Sequence, residues 1–389
     1  MSLSNITLSA AVRQNLLSLQ GTADLLATTQ GRLATGKKVN SALDNPTNFF
    51  TAAGLDARAS DISNLLDSIG NGVQVLQAAN TGITSLSKLV DTAKSIANQV
   101  LQQPLGYSAK STVTSAAALG GTAANLVDGA TIKAGQTIIV AANGALPAVT
   151  VTIGASESLD QLNTALAAGN LTASLDSANK LVITTTNDFA SSTVGAVTVG
   201  STPGTATFGA AVAPTADAVS QATRASLVTQ YNQIITQIGT TAQDASFNGI
   251  NLLNGDSLKL VFDETGKSTS TITGVTFNPA GLGLKALTAG TDFLDNNTTN
   301  TVLTALNTAS VTLRSQASAF GANLSIVQIR QDFNKNIINV LQTGSSALTL
   351  ADSNEEAANS QALSTRQSIA TSALSLANQS QQSVLQLLR

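Results

Sequence analysis

The stretch Leu303–Leu348 constrains this chain most. In alternating steps of three and four it runs Leu303, Leu306, Ser310, Leu313, Ala317, Phe320, Leu324, Val327, Gln331, Asn334, Ile338, Leu341, Ser345 and Leu348. Ten of these fourteen positions are apolar, and no proline interrupts them. That spacing places every side chain on one stripe of an α-helix. Sustained for about six heptads, it is the seam of a coiled coil or long bundle. At about 1.5 Å per residue the helix runs roughly 70 Å. A compact domain does not cover a stripe that long, so partners of similar length are required.

Other stretches supply such partners. Residues 8–33 carry Val12, Leu16, Leu19, Ala23, Leu26, Gln30 and Leu33 at the same spacing. The remaining faces hold few charges, so this helix gains little order alone in water. Gly36 ends it as a C′ residue. An extended connector follows, Gly36, Lys37, Lys38, Val39, Asn40, Ser41, and then Asp44 or Asn45 caps a helix with Pro46 in its first turn. The stripe of this second long helix, residues 46–103, includes Ile62, Leu66, Ile69, Val73, Leu76, Ile83, Val90 and Ala97. Gly70, Gly72 and Gly82 lie inside it at about 1 kcal/mol each relative to Ala, which marks close approach by a neighbour. At the other end of the chain, Leu363, Arg366, Ala370, Ala373, Ala377, Ser380, Val384 and Leu387 form a stripe of mostly small residues.

The middle has a different character. Residues 104–220 are rich in Gly, Thr, Val and Ala. Strands are expected at 136–140, 149–153, 171–175 and 180–185. A short helix at 157–168, capped by Ser156, makes a ββαββ unit with its own core. Helix resumes at Asp217–Ala245 with Leu227, Tyr231, Ile234 and Ile238 on one face, and a hairpin pairs 257–262 with 269–277. The expected fold is mainly α with a β-rich insertion. The N- and C-terminal segments form a long antiparallel helical bundle or coiled coil, and an outer α+β domain is added. Four parts follow: 1–35 with 355–389 as terminal helices, 36–45 as connector, 46–103 with 221–354 as helical bundle and hairpin, and 104–220 as a surface-exposed insert. Small seam residues leave a weak internal core, so burial by further copies of the chain is expected. Heterologous contacts that do not close give a filament.

Composition narrows the function classes. Charged residues make up 11% and the net charge is −3, so neither nucleic acid nor an anionic membrane is expected as partner, and without an 18-residue apolar run no membrane insertion is expected. The chain has no His and no Cys, which removes the commonest general base, metal ligand and thiol nucleophile. No catalytic, cofactor-binding or metal-binding residues are assigned. Gly266-Lys267-Ser268 matches part of a phosphate loop, but Val261 stands where that motif requires Gly and the tripeptide falls in a hairpin turn. Asn170 and Asn323 begin sequons expected by chance in a chain so rich in Asn, Ser and Thr. The first residues carry neither a basic nor an apolar signal region, so a cleaved secretory leader is not expected.

Several motifs resemble those of bacterial flagellin. Arg32-Leu33-Ala34-Thr35-Gly36-Lys37-Lys38-Val39-Asn40-Ser41-Ala42 is similar to the family connector R-L-S-S-G-x-R-I-N-S-A. Gly70-Asn71-Gly72-Val73 stands where flagellins carry N-D-G-I, and Phe247-Asn248-Gly249 with Leu252-Leu253 resembles F-N-G-x-x-L-L. Leu350-Ala351-Asp352-Ser353-Asn354 resembles I-x-D-x-D, and the closing Ala377-Asn378-Gln379 and Val384–Arg389 resemble A-N-Q…V-L-S-L-L-R. The resemblance covers about 1–103 and 221–389, and residues 130–185 look like the ββαββ insert of some flagellins. Here the insert precedes Phe247-Asn248-Gly249, whereas in many flagellins it follows that signature.

The resemblance implies a structural subunit of the flagellar filament, a homopolymer used for swimming. It implies secretion by type III export to an extracellular filament, with an export chaperone on the C-terminal helix, a filament cap and hook-junction proteins as partners. Filament-core packing falls to Val12, Leu16, Leu19, Leu26, Leu33, Ala373, Ala377, Val384 and Leu387. The bundle seam falls to Ile69, Val73, Leu76, Ile83, Phe320, Leu324, Val327, Ile338 and Leu341. Two alternatives are a hook–filament junction protein and a subunit whose insert is an adhesive or glycan-bearing surface. Many flagellins also present R-V-R-E-L-A-V-Q to an innate immune receptor of the Toll-like class. The aligned segment is Thr92-Ala93-Lys94-Ser95-Ile96-Ala97-Asn98-Gln99, in which Thr92 replaces an Arg and Ser95 a Glu. Charge-assisted contacts are lost there, and weak or absent receptor activation is expected.

Overall fold

The computed structural model describes residues 10–200 and 207–387, without the side chains of 11, 381 and 384–387. The long helices are α1 (Ala10–Thr35), α2 (Pro46–Gln102), α4 (Ala218–Asp244), α5 (Asn296–Thr349) and α6 (Ser353–Leu387), with a short α3 (Leu159–Leu166). Contacts divide the chain into two compact units. The first holds residues up to Gly70, 260–270 and 327 onward; the second holds 71–259 and 271–326. α2 and α5 each supply residues to both.

In the first unit α1 pairs with α6. Val12 and Thr29 of α1 are buried, while Leu16, Leu19, Ala23 and Leu26 are half-buried. Gln30 and Leu33, expected on the same stripe, are exposed, because the inward face passes through Thr29 and Arg32 instead. In α6 the inward residues are Glu356, Ser360, Leu363, Gln367, Ala370, Leu374 and Ala377. Arg366, Ala373 and Ser380 point to solvent, so the expected stripe holds only at every second position; the helix turns Leu374 inward instead. Val384 and Leu387 lie where side chains are not described. Elsewhere in this unit Ala59, Ile62 and Leu341 form a small core with Leu55, Ile337 and Ile338.

The second unit is better filled. Here α2 buries Val73, Leu76, Ile83, Val90 and Ala97 as its stripe requires, and also Val75, Ala79, Leu86, Ala93, Ile96 and Val100. The buried arc is therefore about twice as wide as a single seam. Gly82 shows why a neighbour sits so near: a Cβ there would lie 2.6 Å from Ala245 Cβ and Leu253 Cδ1. Gly70 faces no such crowding, its nearest contact being Gln331 Nε2 at 3.9 Å. On α5, Leu306, Leu313 and Phe320 are fully buried as the seam predicts, and Leu324 is half-buried. On α4 the inward residue is Ile235 rather than Ile234.

The insert is more elaborate than one ββαββ unit. Strands β3 (Thr137–Val140) and β4 (Val149–Thr152) join β7 (Val197–Gly200) in a sheet ordered β4-β3-β7. Strands β5 (Leu171–Leu175) and β6 (Leu181–Thr185) join β2 (Thr112–Thr114) in a sheet ordered β2-β6-β5. The expected unit is thus split between two sheets, each completed by a strand distant in sequence. β1 (Tyr107–Ala109) pairs with β8 (Thr215–Ala216) at the neck. Ser158, not Ser156, caps α3, in a reciprocal capping box with Gln161. Leu162, Leu166, Ile138, Val151, Leu171, Leu181 and Ile183 belong to one shared core. The hairpin of β9 (Ser257–Val261) and β10 (Thr269–Thr273) forms as expected.

Candidate assembly surface

The connector is built by backbone pairing. Gly36 takes the left-handed conformation that ends α1, with φ of 67°. Its carbonyl accepts from Ala351 N at 3.0 Å, and the Thr349 carbonyl at the end of α5 accepts from Lys38 N at 2.7 Å. Val39 is buried, while Lys37, Lys38, Asn40 and Asp44 are exposed. Asp44 Oδ2 accepts from Ser41 N at 2.8 Å and Asn40 N at 2.9 Å. Hydrogen bonds from the Ser41 and Asn40 amides hold its carboxyl below the usual carboxylate value. Asn45, not Asp44, caps α2 by accepting from Asn48 N at 3.0 Å.

A polar contact joins the terminal pair at its root. Arg32 Nη1 lies 3.1 Å from Glu356 Oε1. Away from this contact, apolar side chains face outward on both helices: Leu17 (68% exposed), Leu25 and Leu33 on α1, Ile369 and Leu376 (69%) on α6. In the same unit α5 turns Ile329, Phe333 and Val340 outward, and the connector exposes Leu43 almost completely (96%). A helix pair apolar on both inner and outer faces is suited to burial on more than one side.

The hairpin tip is clamped within the first unit. Arg58 Nε bonds Glu264 Oε1 at 2.6 Å, and Arg330 stacks over the Phe262 ring at 5.7 Å. Asn334, a polar interruption of the seam, is buried and donates to the Phe262 carbonyl at 3.0 Å. Buried Ser345 accepts the Thr349 hydroxyl on its carbonyl at 2.9 Å. Ser310, in the second unit, is held by Arg314 Nη2 at 2.8 Å. Val327 is buried and Ile338 half-buried on this seam. The partial phosphate loop is a turn: Asp263 accepts Ser268 N at 2.8 Å, occupying an amide that a phosphate would need, and Gly266 takes φ of 70°.

Sequence reading missed two polar anchors in the second unit. Arg224 is buried, with Nε on the Pro104 carbonyl at 2.7 Å, Nη2 on Gln103 at 3.0 Å and Nη1 on Phe293. It thereby satisfies the carbonyls of the two residues that follow α2. Burial lowers its pKa, and nearby Asp295 raises it. Phe293 has φ of 61°, rare for an aromatic, and stacks edge-on against Tyr231 at 5.7 Å. Asn251 donates to the Ala242 and Gln243 carbonyls, both at 2.8 Å, closing the end of α4. Only an arginine on an apolar helix face and an Asn after the Asn248-Gly249 turn hint at these roles. Thr92 and Ser95 are exposed on α2, with Lys94 half-buried between them.

Among the described residues no group of His, Cys, Asp and Glu could hold a metal ion. Among the same residues no helix is long and apolar enough to cross a membrane. The bacterial flagellin N-terminal helical region matches residues 5–116, and the bacterial flagellin C-terminal helical region matches residues 303–388. Together they take in just over half of the chain, including α1, α2, α6 and most of α5. The chain belongs to the bacterial flagellin family. Among curated relatives it is 31% identical to flagellin FljM of Caulobacter vibrioides over 164 residues, 42% of this chain and 59% of that one. Flagellin FljK of the same organism is 30% identical over 164 residues, with the same coverage. A flagellin of Brucella melitensis is 27% identical over 172 residues, 41% of this chain and 61% of that protein. The chain thus spans about three-fifths of the length of these relatives.

Proposed function

We propose that this chain is the structural subunit of a bacterial flagellar filament, polymerising with copies of itself to support swimming. The observation that carries this reading is the terminal pair. α1 and α6 find each other within one chain yet leave Leu17, Leu25, Leu33, Ile369 and Leu376 outside. In water such faces lose about 25 cal/mol for each Å² left uncovered, so association through them is favoured. The subunit leaves the cell by type III export to an extracellular filament. A chaperone holds the C-terminal helix before export, and cap and hook-junction proteins meet the filament ends. The insert faces outward. The absence of Cys suits a chain threaded unfolded, since no disulfide has to form.

Seeding the purified protein and viewing it by negative-stain microscopy tests the reading, with regular filaments as the expected result. A chain lacking 363–389 should remain a non-polymerising monomer in sedimentation; filaments from it would overturn the assignment of α6. Val327→Asp, at a fully buried seam position, should abolish assembly more completely than Leu324→Asp at a half-buried one. The Thr92, Lys94 and Ser95 face should activate a Toll-like receptor reporter weakly or not at all. Activation equal to that of an enteric flagellin would refute that expectation.

A further inference from the structure

The insert sheet ordered β2-β6-β5 has two edges, and each is treated differently. The β2 edge is covered by the chain itself: Thr112 and Val212 exchange backbone bonds at 3.3 and 2.8 Å, and Gly209 N reaches the Thr114 carbonyl at 2.9 Å. Among the described residues no strand covers the β5 edge. Its central residue, Ala173, meets the side chain of Asn163 on α3. Asn163 Nδ2 donates to the Ala173 carbonyl at 3.1 Å, and Asn163 Oδ1 accepts from Ala173 N at 2.5 Å. One amide therefore takes both ladder groups that an added strand would use at that position. An amide side chain reproduces the donor–acceptor pair of a peptide but cannot propagate a ladder. An open edge presents a template for strand pairing between chains.

We infer that Asn163 is an edge plug, which keeps β5 of one copy from pairing with β5 of another. Its place in the chain supports this. The strand carries small and apolar residues, Leu171-Thr172-Ala173-Ser174-Leu175, with no charge or proline to deter pairing. Alternate residues Leu171 and Ala173 are buried against the insert core, fixing the register of the exposed edge. The consequence rests on the filament reading, because a polymer holds many inserts at high local concentration. The plug itself can be tested without assembly.

The test uses the full chain, unseeded and unpolymerised. Asn163→Leu keeps the side-chain volume and removes both bonds. We expect sedimentation to show a concentration-dependent shift from monomer to dimer and larger species, with the insert's circular dichroism retained. Adding Ser174→Lys on the same exposed strand should return the protein to monomer, since a charge on an edge disfavours pairing. Monomer at every concentration for N163L, with the Ala173 amide exchanging freely, would overturn the proposal: the edge would be bare and still unpaired. Should N163L lose the fold of the insert, N163S decides the matter by the same two readouts. Because no filament is formed in these experiments, failure of the plug leaves the filament assignment standing, and failure to polymerise leaves the plug testable.

Discussion

The terminal helix pair and the insert solve the same problem in opposite ways. In the insert, short strands and one eight-residue helix converge on a shared core in which Leu126, Leu162, Leu166, Leu181 and Ile183 are fully buried. In the terminal pair, α1 and α6 together contribute 26 and 35 residues of helix, yet most of their inward residues are only half-buried. The inward face of α6 includes Ser360 and Gln367, and that of α1 includes Thr29. Apolar area removed from water stabilises a fold, and helix length alone does not. The insert therefore buries its apolar residues within itself, whereas the terminal pair leaves Leu17, Leu25, Leu33, Ile369 and Leu376 uncovered, as the proposed assembly requires.

The largest expected effect lies in the second unit, where α4 holds the segment that follows α2. Arg224→Met removes the donors to the Gln103, Pro104 and Phe293 carbonyls, the last of them buried. It should destabilise the second unit by on the order of 4 kcal/mol in chemical denaturation. Next comes a matched pair of truncations. Leu162→Ala in the insert should cost about 3 kcal/mol, while Leu363→Ala in α6 should cost under about 1 kcal/mol in the unpolymerised chain. Equal losses would break the contrast. Asn334→Ala removes the bond to the Phe262 carbonyl and should cost about 1–2 kcal/mol, read as faster exchange of the hairpin tip.

The smallest effect is a titration. Burial raises the Asp128 carboxyl, but amides of Gly120, Ala130, Ile132 and Thr131 outweigh it and bring the pKa down to about 2. A carboxylate depressed by folding contributes stability above its ordinary value of 3.8 and loses that contribution as pH falls through about 2. Melting of the insert should accordingly weaken across that window, and Asp128→Ala should flatten the dependence.

Long seams were readable from sequence because one period governs dozens of residues. Leu306, Leu313, Phe320, Val327 and Leu341 all lie buried where alternating threes and fours put them. The terminal stripes were less legible, since α6 alternates Ala, Ser and Leu so evenly that Ala373 and Leu374 are equal candidates from spacing alone. Structure turns Leu374 inward. The second buried face of α2, through Val75, Leu86 and Val100, was missed because a helix with two neighbours has no clean polar side. In the insert, β3–β6 and α3 were visible from strand patterning and turn residues. The pairing of β2 and β7 with them was not, because strands of three or four residues distant in sequence carry no signal of their partners. Polar anchors such as Arg224, Asn251 and Asn163 are tertiary facts: each acts on backbone groups that no periodicity points to.

Hydrogen exchange followed on the unpolymerised chain and again after seeding tests the central claim most directly. Amides of α1 and α6 should exchange quickly before assembly and slow sharply afterwards, while those of β3–β6 and α3 stay equally protected in both states. Terminal helices as protected as the insert core before any assembly would contradict it.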